Sequence, residues 1–496
     1  MRKKLFLHLT LLMALIFAFS GAALGFAAEE QFPGMDSLEE VLRDVQRMHI
    51  GEPDSQTLVR GAIDGLIGTL NDPYTVFMTP ADLKDFRDSI DGNYVGIGVQ
   101  MQPGEIYPKV LNAIENTPAS NAGILPGDLI IKIDGKDISK EPLGKVVEKI
   151  RGPEGTKLTL TIRREGSADF DIELMRANIS NPTVSGKILG SDIGYISIDT
   201  FGDFTEDEFK ETLDELIEQG ATKLILDLRG NPGGIIHSAV NISSNFIEQG
   251  KVVVSTFDRT GHREEYLAEW EPAVIRDMPI VVLVDKNTAS AAEIVAGALQ
   301  DYNLATLIGG QTFGKGTVQA IVPLETEGAL KITVARYHTP GDRIIDGTGL
   351  SPDIQVLTPD LPLAIAQGYL SGASKNTIVF DSEKSEVILN GIAVKSGQLA
   401  QQQQGNTYLP LRLLFEALGY RVDWLPVEGS IKITGYQTEA VFYPEDGHYI
   451  IDARSYPGGA SMLNIEGNAY IQDSVLSLFN TSVQLEDSTI IIEKSL

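Results

Sequence analysis

The chain has no cysteine and only six histidines among 496 residues. Without cysteine there is no disulfide, no thiol nucleophile and no cysteine-ligated metal. The histidines (His8, His49, His237, His262, His338 and His448) fall in no His-Glu-x-x-His or comparable spacing, so no metal site is readable and no cofactor is expected. Basic residues are scarce as well: 40 Lys and Arg stand against 68 Asp and Glu, a formal net charge of -28. That balance argues against nucleic acid as a partner, because neutralising phosphates takes lysine and arginine. Long apolar runs are missing except at the start. There Arg2-Lys3-Lys4 precedes the run Leu5 to Phe19, and small residues follow to Ala27-Ala28, the pattern of an export signal over 1–28. The other reading of this segment is an uncleaved membrane anchor. Nothing later approaches the roughly 20 apolar residues of a membrane helix. Either reading places the working part outside the cytoplasm: secreted, membrane-anchored or held at a cell wall.

What is present suffices for three or four units of about 100–200 residues, with 43% hydrophobic residues to build their cores. Residues 29–92 carry apolar residues at helical spacing, as in Leu38, Val41, Leu42, Val45 and Met48, and read as a helical segment suited to dimerisation, with a packing arm as the alternative. Asp72-Pro73-Tyr74 breaks it, and Thr79-Pro80-Ala81-Asp82 starts a further helix with Thr79 as cap. Short strands and turns fill 93–177. Strands alternate with helices over 178–362, as in an α/β core. Ser371-Gly372-Ala373-Ser374-Lys375-Asn376 closes a stretch read as a linker, 363–376. Short strands return over 377–496, where the part around Ala440 to Glu493 reads as a diverged repeat of the part before it. The expected fold is therefore a multidomain α+β chain.

Ser290 and Lys315 carry the chemistry. Ser290 lies in Asn287-Thr288-Ala289-Ser290-Ala291-Ala292-Glu293, at the start of a small-residue helix. Lys315 lies between Gly314 and Gly316, with Gln319 shortly after. A serine, a lysine base and an orienting amide can cut a peptide bond without histidine. Ser290 to Glu293 is also a Ser-x-x-Glu capping box. The two readings are compatible, since a helix N-terminus offers unpaired N–H groups to an oxyanion beside the serine. Gly309 to Lys315 imitates a phosphate-binding loop, but Gly316 replaces the hydroxyl that holds magnesium and a strand follows instead of a helix, so nucleotide binding is rejected. A lysine acts as base only when neutral. Lys315 is therefore expected to be buried against apolar neighbours, with no carboxylate close by.

Three resemblances follow from these motifs. Gly96-Ile97-Gly98-Val99, Pro118 to Gly123, Pro126-Gly127-Asp128 and Asp134-Gly135 resemble a PDZ domain. The resemblance implies that the Gly96, Ile97, Gly98 and Val99 loop binds a peptide's terminal carboxylate; glycines that merely permit positive φ are the alternative. Asn406 to Arg412 with Ala417 to Tyr420 resembles the copper-amine-oxidase N-terminal-like module of exported Gram-positive proteins, without any cluster of copper ligands. The PDZ segment, Asp227 to Gly234, Thr288 to Glu293 and Thr312 to Gly316, in that order, resemble the carboxyl-terminal processing peptidases, the tail-specific proteases of family S41. One departure is Ala292, where many relatives have a second serine. The resemblance implies Ser290 as nucleophile, Lys315 as general base and Gln319 as its orienting partner. The oxyanion hole is expected at the Ala291 N–H and one from the Gly233-Gly234 turn, Gly234 first; a plain strand-to-helix turn is the alternative there. Arg151 is a candidate link between a peptide-loaded PDZ domain and the active site, with a solvated arginine at a turn as the alternative. The function implied is an exported serine endopeptidase that finds substrates by their C-termini, trimming a signalling or envelope protein as a homodimer. A cell-wall polymer is a candidate ligand of the C-terminal module, and a purely structural dimer arm is the alternative. A non-catalytic, peptide-binding scaffold at the cell wall is the alternative, which intact Ser290, Lys315 and Gln319 argue against. A Ser-His-Asp hydrolase lacks a histidine in a suitable motif.

Overall fold

The computed structural model describes residues 33–90, 92–180, 182–272, 278–395, 397–458, 461–486 and 488–496. The segment 1–28, read as signal or anchor, lies outside them. Among the described residues no helix is long and apolar enough to cross a membrane. The chain divides into two compact units, Met1–Phe77 and Met78–Leu496.

The first unit contains the helices Met35–Met48 and Ser55–Gly68. Asp54 caps the second helix, its carboxylate accepting the Thr57 N–H at 2.9 Å. The first helix buries none of its residues, and Met35, Leu38, Val41 and Met48 are exposed. The helix Pro80–Ile90 opens the second unit, so the helical segment read as one is divided between the two. The cap of this helix is reciprocal. Thr79 Oγ1 accepts the Asp82 N–H at 3.1 Å, and the Asp82 carboxylate accepts the Thr79 N–H at 2.9 Å.

An antiparallel ribbon of Asn93–Gly96 with Ala177–Ser180 brackets the PDZ domain. Between its strands lies a six-stranded sheet with Val99–Gln102 at one edge, leaving that strand's outer backbone row open to an extended peptide. The strand Lys157–Arg163 alternates inward Leu158, Leu160 and Ile162 with outward residues. These join Ile97, Val110, Ile130 and the helical Val146 in one core.

The α/β core is a six-stranded sheet ordered Val184–Leu189, Ile193–Ile198, Lys223–Asp227, Ile280–Val284, Ala305–Gly309, Ile354–Gln355. The first pair is antiparallel and the remainder parallel. All five residues of Ile280–Val284 are buried, as expected for a parallel strand covered on both faces. On one face Ile196, Leu224, Leu226 and Val282 pack with Phe209, Val240, Val295 and Leu299 of the helices Thr205–Glu218, Ile236–Ser244 and Ala291–Asp301. A long hairpin, Thr317–Pro323 with Ala329–His338, stands apart from this sheet and pairs with Val252–Asp258.

The other face corrects the domain reading. Residues 363–376 are not a linker. Leu361–Leu370 is a helix with buried residues on both sides, and Lys375–Asp381 is already a strand. A helix that is apolar all round is an interior layer. This one lies in a single core that runs from Ile225, Val281 and Leu283 of the sheet to Leu414, Phe415, Phe442 and Phe479 of the C-terminal module. Glu416 adds a polar tie, its carboxylate accepting the Leu357 and Thr358 N–H groups at 3.1 and 2.9 Å. Within the module, the succession Glu386–Leu389, Ile392–Val394, Gln401–Gln403, Asn406–Pro410, helix, Arg421–Leu425, Ser430–Gly435 recurs from Tyr449–Ile451 to Thr489–Ser495 around the 3-10 helix Asp473–Phe479. That order supports the reading of a diverged repeat.

Candidate active site

The strand Ile280–Val284 leads into the loop that carries Ser290. Asp285 gathers this loop, its carboxylate accepting N–H groups from Gly230, Asn287 and Thr288 at 2.9–3.0 Å. The Thr288 hydroxyl donates to the Leu228 carbonyl at 2.8 Å, and the Ala289 N–H to the Asn231 carbonyl at 2.9 Å. The serine loop and the Gly230–Gly234 turn are thus one hydrogen-bonded body. Ser290 itself has φ 56° and ψ -119°, a conformation that costs a non-glycine residue about 1–3 kcal/mol and persists only where neighbours over-determine it. Two neighbours do so. The Ser290 N–H donates to Glu293 Oε2 at 2.9 Å, and its carbonyl accepts the Tyr337 hydroxyl at 3.1 Å. Tyr337 is buried; burial, with the charges of Glu293 and Asp346, pushes its phenol well above the ordinary value, so it remains a donor.

Gly233 is pressed against the serine. A Cβ on it would lie 2.7 Å from both Ser290 Cβ and the Ala289 carbonyl oxygen, at φ +99°. The Gly233 N–H is taken by Asn231 Oδ1 at 2.8 Å. The Gly234 and Ala291 N–H groups, by contrast, meet no protein acceptor among the described residues. Gly233→Ala is expected to lower activity about 100-fold, because a displacement of roughly 1 Å at the reacting atoms has that effect. Gly230→Ala is the control: it shares a positive φ of +74° but faces open space. Equal activities of the two variants, measured with one peptide substrate, would refute the contact argument.

In sequence Glu293 is a capping-box partner only. It is fully buried, and its carboxylate joins the Ser290 and Lys315 loops. Oε2 accepts the Ser290 and Lys315 N–H groups, each at 2.9 Å. Oε1 accepts the Thr312 hydroxyl at 2.5 Å and the Gly314 N–H at 2.8 Å. This corrects the expectation for Lys315 in two respects. The residue is half-buried rather than buried, and a carboxylate does lie at its backbone. Four donors occupy that carboxylate, so its charge is met largely by backbone and hydroxyl dipoles. Gln319 follows a β-bulge between Val318 and Gln319, a device that re-aims a side chain. Its amide nitrogen donates to the hydroxyls of Thr317 and Thr333 at 3.0 and 3.3 Å, which leaves the amide oxygen as an acceptor.

One cavity of about 720 Å³ brings Ser290, Ala291, Gly233, Gly234, Lys315 and Gln319 together. Arg151, which follows the PDZ helix Leu143–Ile150, lines the same cavity. So do Phe86 and Ile90 of the helix Pro80–Ile90, and Asp199, none of which the sequence marked. Burial, then the nearby charge of Asp227, raises the Asp199 carboxyl above its usual range. The Gly96–Val99 loop lies apart from this cavity. Ile97 is buried there, and a Cβ on Gly98 would come within 2.3 Å of Thr117, so Gly98 is required by packing from behind. Among the described residues no group of histidine, aspartate or glutamate could hold a metal ion.

A strained serine and a lysine line one cavity of an α/β core that also carries a PDZ domain, and the class of protein is a serine-type peptidase. The chain belongs to the carboxy-terminal-processing proteases of peptidase family S41. The family model for Peptidase family S41 matches residues 192–356, and that for a PDZ domain matches 109–164. Copper amine oxidase N-terminal domain matches 388–493, and Activating protease CtpB N-terminal domain matches 25–81. The carboxy-terminal-processing protease of Bartonella bacilliformis is 39% identical over 329 residues, 64% of this chain and 74% of that one. The carboxy-terminal processing protease CtpA of Bacillus subtilis is 37% identical over 325 residues, 66% and 69% of the two chains. Among solved structures, a photosystem II D1 C-terminal processing protease is 27% identical with a TM-score of 0.42, over 68% of this chain and 97% of that one.

Proposed function

We propose that this peptidase cuts substrates with a Ser290–Lys315 dyad. Ser290 Oγ attacks the scissile carbonyl while the neutral Lys315 amine takes its proton and then returns it to the leaving amine. Water repeats the sequence to release the acyl-enzyme. Gln319, through its amide oxygen, orients the lysine, and the Ala291 and Gly234 N–H groups hold the oxyanion. The observation that carries this reading is the one cavity that these residues line, with both proposed oxyanion donors meeting no protein acceptor among the described residues. The open edge strand Val99–Gln102, entered through the Gly96–Val99 loop, is the surface on which a substrate's C-terminus docks. Arg151, on the cavity wall, relays that occupancy. The exposed apolar residues of Met35–Met48 pair two copies, and the N-terminal segment directs the enzyme out of the cytoplasm.

The test is cleavage of an unfolded protein with an apolar C-terminus by residues 29–496 and by the Ser290→Ala and Lys315→Ala variants. Each substitution is expected to lower kcat at least 10³-fold, and amidating the substrate's C-terminus to slow the parent enzyme. Undiminished cleavage by either variant would remove the dyad. Tail binding without any cleavage by the parent would favour a scaffold.

A further inference from the structure

The cavity holds a second lysine. Lys331 lies directly across the hairpin from Ile321, and both line the cavity that contains Ser290 and Gln319. Thr333, which holds the Gln319 amide, is two residues further on and so on the same face of the strand. Lys331 therefore stands one pleat repeat, about 7 Å, from that contact. Its ammonium rests 4.6 Å from the centroid of the Phe86 ring, and it meets no carboxylate among the described residues. Burial alone lowers its pKa from the ordinary lysine value. A cation drawn out of water without an anion is an unfavourable arrangement that an entering carboxylate relieves. The setting favours such a group. The chain carries a net charge of -28, yet with Lys315 neutral as the base the charged side chains on this wall, among the described residues, are Arg151 and Lys331 against Asp199. A local excess of positive charge on an acidic chain draws an anionic ligand to this wall.

We propose that Lys331 forms a carboxylate-accepting subsite, which takes an acidic side chain or a free C-terminus within a few residues of the bond to be cut. This rests on the reading of Ser290 as the nucleophile of the same cavity. Phe86 holds the lysine in place from the helix Pro80–Ile90, and Ile321 supplies the apolar floor.

Binding tests it without turnover. The Ser290→Ala protein is titrated with acetylated, amidated peptides in which one Glu, or one Gln, is walked across a neutral sequence, and with the Gln peptides bearing a free C-terminus. The expected result is a Glu position that binds about tenfold more tightly than its Gln counterpart. The gap should vanish in Lys331→Met, persist in Lys331→Arg and invert in Lys331→Glu. A gap that appears only between free and amidated termini, and still depends on Lys331, assigns the carboxylate to the chain end. The PDZ domain lacks Lys331, so its own preference cancels between variants. Glu-to-Gln and free-to-amide ratios that are all unchanged by Lys331→Met would overturn the proposal. Failure of the nucleophile reading has a different signature: the Ser290→Ala protein would still cut these peptides at the parent's rate, whatever the binding ratios.

Discussion

Replacing Glu293 with glutamine is expected to lower kcat about 100-fold while leaving the affinity of the PDZ domain for tail peptides unchanged. Glu293 Oε2 holds the backbone N–H groups of both Ser290 and Lys315, and Oε1 holds Thr312 and Gly314. Glutamine keeps one oxygen and turns an NH2 group towards the other pair of donors. The Thr312 hydroxyl already accepts the Leu350 N–H at 2.6 Å, and an oxygen has lone pairs to face an amide nitrogen. Glutamine is therefore expected to keep its oxygen on Ser290 and Lys315 and to leave the Gly314 N–H unpaired. One buried donor without a partner costs about 1–3 kcal/mol, which a protein of roughly 5–15 kcal/mol stability survives. The loop carrying Lys315 then relaxes away from the serine. Glu293→Ala strands all four donors and is expected to prevent folding. The measurements are kcat, melting temperature and tail-peptide affinity for the glutamine variant. A lowered melting temperature with wild-type kcat would show that Glu293 supports the fold without setting the geometry of the dyad.

What the sequence revealed and what it hid differ in physical kind. The segments around Ser290, Lys315 and the Gly233-Gly234 turn stood out because a helix start and glycines at backbone contacts leave local signatures. Glu293 was half legible. Its bond to the Ser290 N–H is a three-residue pattern, but its bonds to Thr312, Gly314 and Lys315 join segments about 20 residues apart, and no spacing encodes them. Tyr337, 47 residues from the serine carbonyl that it holds, gives no signal at all. Phe86 and Lys331 reach the cavity only through the placement of a helix and a hairpin. The helix Leu361–Leu370 failed for a different reason. Its sequence, LPLAIAQGYL, is apolar on every side and so lacks the helical periodicity that would announce it, while the Ser-Gly-Ala-Ser stretch after it imitates a linker.

That misreading leads to the second large effect. Ending the chain at Ser374 is expected to abolish soluble, active enzyme, even though Ser290, Lys315 and the PDZ domain are all retained. A module joined by a flexible linker could be removed at little cost. Here Leu361, Ala364 and Ala366 share one core with Ile225, Val281 and Leu283 of the catalytic sheet on one side and with Leu414, Phe415 and Phe442 of the module on the other. Removing the module uncovers the outer side of that helix and strips Glu416 from the Leu357 and Thr358 N–H groups. Exposing as little as about 400 Å² of apolar surface forfeits roughly 10 kcal/mol, comparable to the whole stability of a domain. The strands thus loosened, Lys223–Asp227 and Ile280–Val284, carry the Gly230–Gly234 turn and the Ser290 loop at their ends, so activity fails with the fold. The assay compares the melting temperature, light scattering and peptide cleavage of the truncated and full-length proteins. A truncated enzyme that stays soluble, with its melting temperature intact, would mean that the sheet and helix suffice by themselves and that the module is an appendage. Glu416→Ala offers a milder version: losing the acceptor for the buried Thr358 N–H and the part-buried Leu357 N–H should cost about 1–3 kcal/mol, and should lower the melting temperature of module and catalytic core together rather than in separate steps.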